Sequence, residues 1–226
     1  MIRHLIFDLD RTIYPTDTRM SADISYRIKK YAADFWHVDF EEGARKRSQA
    51  VKKYGTTLDW LVEAGGFSDI EDYFASVHPE NECDGLYKTP ALRPLLESLP
   101  QRKIILTNSP YEHADRVLRF LEVRDLFDAI CDIRMNNLKG KPAAGAFRTA
   151  LELCGGTVRD SIFLDDAEGY TDGWAALGGI AVLVDPDGKK LNTPDLPGTT
   201  YCIKDIYELP ALLETIELSL KNGKDD

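Results

Sequence analysis

The chain has 226 residues, 43% of them hydrophobic and 29% charged, a balance that fits a globular protein with one α/β domain or a core domain carrying a smaller insertion. A formal net charge of −10 repels polyanions, which argues against a nucleic acid polymer or an anionic membrane as partner. No apolar run reaches bilayer length, and the opening MIRHLIFDLD carries aspartates inside its short apolar stretch, unlike a secretory signal.

In chain order, the first expected element is a buried strand over 3–8 that ends on acidic residues. The segment 17–88 then breaks into helical patterns without a good strand. Ile24, Ile28, Tyr31 and Phe35 sit at helical spacing after Ser21, and Ser68-Asp69-Ile70-Glu71 reads as a capping box ahead of Tyr73, Phe74 and Val77. Arg45, Lys46, Arg47, Lys52 and Lys53 form a basic run that reads as a solvated helix face more readily than as a nucleotide-phosphate site. Trp36, Tyr73 and Phe74 are assigned to the core of this segment before any role in base stacking.

Further short runs rich in Ile, Leu and Val predict buried strands at 103–108, 129–134, 161–166 and 179–185. Between them, Ser109-Pro110-Tyr111-Glu112 offers an N-cap for a helix with Val117, Leu118 and Leu121 on its apolar face. Ala144, Phe147, Ala150 and Leu151 form a second stripe, closed by Gly155-Gly156. Alternating strands and helices predict a parallel sheet with helices on both faces. The expected division is 1–16 with 89–226 as a core and 17–88 as a helical insertion, while the polar tail 221–226 is expected to fray.

Cys83, Cys131, Cys154 and Cys202 are far apart and form no CxxC pair, and His4, His37, His78 and His113 are equally scattered. That spacing suits neither a disulfide framework nor a His/Cys metal site, and a reducing cytoplasm is the expected location.

Four constellations fall at the C-terminal ends of expected strands, where open parallel sheets place their ligands. Asp8 and Asp10 are two apart beyond the first strand; they face a pocket together or belong to an Asp-rich turn. Thr107-Asn108-Ser109 opens a helix N-terminus, a ready anion site unless Ser109 merely caps. Lys141, in Leu138-Lys139-Gly140-Lys141-Pro142, is either a phosphate-neutralising cation or a solvated loop lysine. Asp165 and Asp166 close a buried strand, and adjacent carboxylates there repel each other unless a cation intervenes, which suits magnesium.

In this order the four motifs resemble the haloacid-dehalogenase-like superfamily across essentially the whole chain, with DxDx[TV], a hydroxyl closing the second strand, a lysine and an acidic pair. FDLDRTIYP, the helical insertion and LTNSPYEHADRVLRFLEVRDLFD resemble the pyrimidine 5′-nucleotidase branch. The resemblance implies a Rossmann-like three-layer core with a helical cap after the first strand. It also implies a magnesium-dependent phosphatase acting on a small phosphorylated metabolite, such as a pyrimidine nucleoside 5′-monophosphate. Carried over by motif, Asp8 would be the nucleophile that forms an aspartyl-phosphate, and Asp10 the general acid and base whose backbone carbonyl also meets the metal. Thr107, Asn108 and Lys141 would bind the phosphate, and Asp165 and Asp166 would complete the magnesium shell with Asp8.

Three positions depart from the family pattern. Arg11 stands where Gly or Asn is usual, and either contacts substrate phosphate or points to solvent. Ala167 replaces the usual Ser, and Tyr170 the usual Asn or Asp, with Asp172 a candidate to compensate. A sugar-phosphate mutase on the same core, or a non-catalytic binding protein that kept the fold, are the competing readings. Dehalogenation is disfavoured because Asp10 is present.

Overall fold

Short aliphatic runs with both faces covered become adjacent parallel strands, and these build the core of the molecule. The computed structural model describes residues 1–191 and 201–222. In chain order the elements are β1 (His4–Phe7), then helices α1 (Arg19–Phe35), α2 (Phe40–Tyr54), α3 (Thr57–Gly65) and α4 (Ile70–Val77). They continue with α5 (Leu92–Ser98), β2 (Arg102–Leu106), α6 (Tyr111–Phe120), β3 (Ala129–Cys131), α7 (Ala144–Cys154) and β4 (Ser161–Asp165). Last come α8 (Glu168–Ala175), β5 (Ile180–Val184), β6 (Tyr201–Ile203) and α9 (Leu209–Asn222). Of the tail expected to fray, residues 223–226 lie outside the described residues.

The chain divides into two compact units, Met1–Thr16 with Lys88–Asp226, and Asp17–Tyr87. In the first, six parallel strands run in the order β3-β2-β1-β4-β5-β6, the doubly wound, Rossmann-like α/β arrangement with flanking helices. This order reverses between β1 and β4, and ligands of such sheets bind beyond the strand ends at that point. The register sets Phe7 of β1 beside Leu164 of β4 and Ile105 of β2. Asp8, one residue on, donates its N–H to the Leu164 carbonyl at 2.8 Å, so it leaves the sheet next to Asp165.

Phe147, Phe163 and Trp174 lie fully buried under the sheet with ring centroids 5.3 to 5.8 Å apart. Each such side chain contributes about 1.5–3 kcal/mol by leaving water. Of the expected stripe of α7, Phe147, Ala150 and Leu151 pack inward while Ala144 at the helix start is half-buried, and the helix stops at Gly155 in the left-handed conformation at φ 67°.

The strands stop short of their expected ends. β3 closes at Cys131 because the Asp132 carboxylate accepts the N–H groups of Met135 and Tyr111, both at 3.1 Å, and curls the chain into a turn. The expected cap of α6 by Ser109 is not formed. Pro110 holds the N-cap position, Asp132 supplies the acceptor, and Ser109 is used elsewhere. β6 was not expected; three residues on a sheet edge leave little pattern to read.

In the unit Asp17–Tyr87, α1 packs on α2 where Gly43 meets Ala33; a Cβ on Gly43 would come within 2.5 Å of the Ala33 Cβ. Trp36 stacks on Trp60 with centroids 5.4 Å apart, and Tyr31 meets Tyr73 edge-on at 5.1 Å. The cap of α4 lies one residue later than expected, with Asp69 accepting the N–H of Asp72 at 3.2 Å, because the helix starts at Ile70. Within the basic run, Arg45 and Lys46 pair with Glu42, whereas Arg47 turns inward to donate to Thr57 at 2.7 Å. Among the described residues no helix is long and apolar enough to cross a membrane.

Candidate active site

The C-terminal ends of β1 and β4 carry Asp8 and Asp165, both buried, and between them lies the ammonium of Lys141. Lys141 Nζ is 2.6 Å from Asp8 Oδ1 and 2.6 Å from Asp165 Oδ2. Asp165 Oδ1 also accepts the N–H of Ala167 at 2.8 Å. Asp166 joins them, and ligand atoms of Asp8, Asp165 and Asp166 lie within 4.8 Å of one another. Asp172 is not one of the carboxylates of that cluster.

This cluster sets three carboxylates against one buried cation. Burial pushes the Asp8 carboxyl up against the opposing pull of Lys141, and it raises Asp165 well above the usual carboxylate range. Asp166 is pushed up to about 7, by burial and then by the Asp8 charge, with Arg11 opposing. Burial works against the ammonium of Lys141, but Asp165 and Asp8 outweigh it and keep the lysine charged. Asp8, Asp165 and Asp166 each offer a carboxylate oxygen to this cluster, the chemistry that a small hard divalent cation selects.

Arg11 occupies left-handed backbone at φ 66°, which accounts for the Gly or Asn usual at this position. Its Nε lies 3.1 Å from Asp166 Oδ2, with the side chain half exposed. It does not simply point to solvent, as one of the two expectations had it: it is a half-exposed partner of Asp166.

Asp10 sits in a different set of contacts. Its Oδ1 accepts the Tyr14 hydroxyl at 2.5 Å and lies 2.8 Å from His113 Nε2, while its Oδ2 accepts the Ser109 hydroxyl at 3.0 Å. Sequence reasoning missed all three of these partners. The available signal was spacing: Tyr14 follows Asp10 by four residues, and His113 follows Ser109 by four across the first turn of α6.

Thr107 is buried at the end of β2, and its hydroxyl accepts the Ser109 N–H at 3.0 Å. Asn108 turns its carboxamide to the lysine loop. Its Oδ1 accepts the Lys141 N–H at 2.7 Å, and its Nδ2 donates to the Lys141 carbonyl at 2.9 Å and to the Tyr170 hydroxyl at 3.2 Å. Gly140 is required for that approach, since a Cβ there would stand 2.1 Å from Asn108 Oδ1. Thus Asp8, Lys141, Asp165 and Asp166 form one cluster, Asn108 braces its lysine, and Asp10 is held separately by Tyr14, Ser109 and His113.

Solved structures share this architecture. A HAD phosphatase from Thermococcus onnurineus matches with a TM-score of 0.66 at 18% identity, over 94% of this chain and 98% of that one. A 2-haloacid dehalogenase from Pseudomonas syringae pv. Tomato DC3000 matches with a TM-score of 0.62 at 21% identity, over 95% of this chain and 99% of the other. At these identities the likeness concerns the fold. In sequence, Phosphate metabolism protein 8 of Saccharomyces cerevisiae is 23% identical over 229 residues, covering 92% of this chain and 71% of that protein. The model of the haloacid dehalogenase-like hydrolases matches residues 2–173, which takes in the acidic loop after β1, Lys141 and the acidic pair, and the chain belongs to that hydrolase family.

Proposed function

We propose that the chain is a magnesium-dependent phosphatase that hydrolyses a small phosphate monoester through an aspartyl-phosphate on Asp8. The observation that carries this reading is Lys141 bridging Asp8 and Asp165 at 2.6 Å, with Asp166 in the same cluster. A second carboxylate, Asp10, stands two residues on from Asp8, held by Tyr14, Ser109 and His113, and supports the hydrolase reading over a dehalogenase, which needs no such acid and base.

In the first step an Asp8 carboxylate oxygen attacks phosphorus, the P–O bond to the ester oxygen breaks, and protonated Asp10 gives that oxygen its proton. The alcohol then leaves. In the second step ionised Asp10 takes a proton from water, whose oxygen attacks the aspartyl-phosphate and frees inorganic phosphate and the Asp8 carboxylate. Thr107 and Lys141 act on the phosphoryl oxygens, since phosphoryl transfer depends chiefly on positioning and charge neutralisation. The Asn108 carboxamide is committed to Lys141 and Tyr170, so its part in phosphate binding falls to its backbone.

Asp8, Asp165 and Asp166, with the backbone carbonyl of Asp10, are proposed to hold the magnesium ion. The surplus of carboxylates over cations in the cluster supports this assignment. When bound, the ion would supply the positive charge that offsets this surplus and the charge of the phosphate.

The test is hydrolysis of p-nitrophenyl phosphate by the full chain with and without magnesium, beside Asp8→Asn. Magnesium-dependent release of inorganic phosphate by the parent and its near-complete loss in the variant are expected. Equal rates in both would remove Asp8 from the mechanism. Pyrimidine nucleoside 5′-monophosphates are the first substrate class to screen, on the strength of the sequence resemblance, followed by phosphoglycolate and sugar phosphates.

A further inference from the structure

Lysine carries its charge on a flexible four-carbon stem, and two carboxylates alone do not fix where such a group points. Lys141 has more than these. Its Nζ lies 5.1 Å from the centre of the Tyr170 ring and 5.4 Å from that of Phe163, so aromatic faces flank the ammonium as well as carboxylates. Its peptide groups on both sides are bracketed by Asn108, whose remaining amide hydrogen goes to the Tyr170 hydroxyl. Tyr170 therefore touches Lys141 twice, directly through its ring and indirectly through Asn108. It is also one of the residues that depart from the family pattern.

We infer that Tyr170 is a positioning residue for Lys141: its ring face orients the ammonium between Asp8 and Asp165, and its hydroxyl fixes the Asn108 carboxamide that grips the lysine backbone. The assignment rests on the proposed function in one respect, that Lys141 is the cation meeting the phosphoryl oxygens. The plainer alternative is that Tyr170 only fills space. It does pack against the buried cluster of Phe147, Phe163 and Trp174, so the two roles must be separated by experiment.

The full chain is labelled with carbon-13 at the lysine ε position, and the Lys141 resonance is identified by its absence in Lys141→Met. Ring currents from Tyr170 and Phe163 should move the Lys141 ε-methylene upfield of the other lysines. In Tyr170→Phe that shift should persist, and kcat on p-nitrophenyl phosphate should fall by no more than about threefold, the loss of one neutral hydrogen bond. In Tyr170→Leu the resonance should move back toward the other lysines and kcat should drop roughly tenfold, with KM little changed. Tyr170→Met, similar in bulk without an aromatic face, serves if the leucine variant does not fold. An unmoved Lys141 resonance in the non-aromatic variants would overturn the inference, as would parental kcat accompanied only by a lower melting temperature. If the parent hydrolyses no phosphate ester, the proposed function fails, while the resonance still decides the role of Tyr170.

Discussion

The hydroxyl of Ser109 reaches the carboxylate of Asp10 at 3.0 Å, joining residues 99 positions apart. With Tyr14 and His113 on the other oxygen, this contact fixes the rotation of the carboxylate. A hydrogen bond to a charged group is worth about 1.5–3 kcal/mol. Ser109→Ala should therefore lower kcat by roughly tenfold or more, with KM changed far less, in steady-state assays on p-nitrophenyl phosphate. An unchanged kcat would show that Asp10 does not need the clamp.

Arg11 holds a strained backbone conformation and shares Asp166 with any metal that binds there. Half-exposed ion pairs are worth about 0.2–1 kcal/mol, so the competition is modest. Arg11→Asn should relieve the left-handed strain and lower the magnesium concentration for half-maximal activity by a factor of about two to five. Titration of activity with magnesium, after treatment with a chelator, reads this directly. A weaker magnesium response in the variant would mean that Arg11 supports the site.

Gly140 has no room for a methyl group beside Asn108. In Gly140→Ala either the carboxamide or the lysine loop must move, at a cost of about 1–3 kcal/mol from overpacking. Unfolding in urea should report that loss. Turnover should fall as well, because the strained contact acts on the backbone of Lys141. A variant with parental turnover would separate the Asn108 bracket from catalysis.

His4 is buried at the start of β1, and that burial lowers its pKa from 6.5, with Asp160 pulling the other way. Below pH 6.5 the unfolded chain takes up a proton that the folded chain resists. The contribution of His4 to stability is thus present above that value and is lost as the pH falls. Between about pH 7.5 and 5.5 the parent should lose more unfolding free energy than His4→Gln, measured by urea denaturation of both. Parallel losses would assign the acid sensitivity to other groups.

The sheet was legible because its central strands are continuous aliphatic runs that end abruptly at Asp8, Thr107 and Asp165, and such runs have few other uses. β6 was not, since Tyr201, Cys202 and Ile203 form too short a run to distinguish an edge strand from a loop. The motif positions in sequence likewise indicated which acidic residues would lie at neighbouring strand ends. What was not legible was the set of cross-chain hydrogen bonds. Ser109 had a complete local explanation as a helix cap, and only the fold reveals that Asp132 does this work and leaves the serine for Asp10. Asn108 is a similar case: its place beside the phosphate motif did not reveal that its side chain grips a lysine loop.

The neighbouring positions of β1 and β4 have a consequence for how the protein is made. Asp8 leaves the ribosome well ahead of its companion carboxylates, which arrive only when β4 has been synthesised and has docked beside β1. Long-range pairing of this kind is slow relative to local helix formation. Assembly of the acidic cluster is therefore a late event in the life of each polypeptide, and a prematurely terminated product that lacks β4 never forms it.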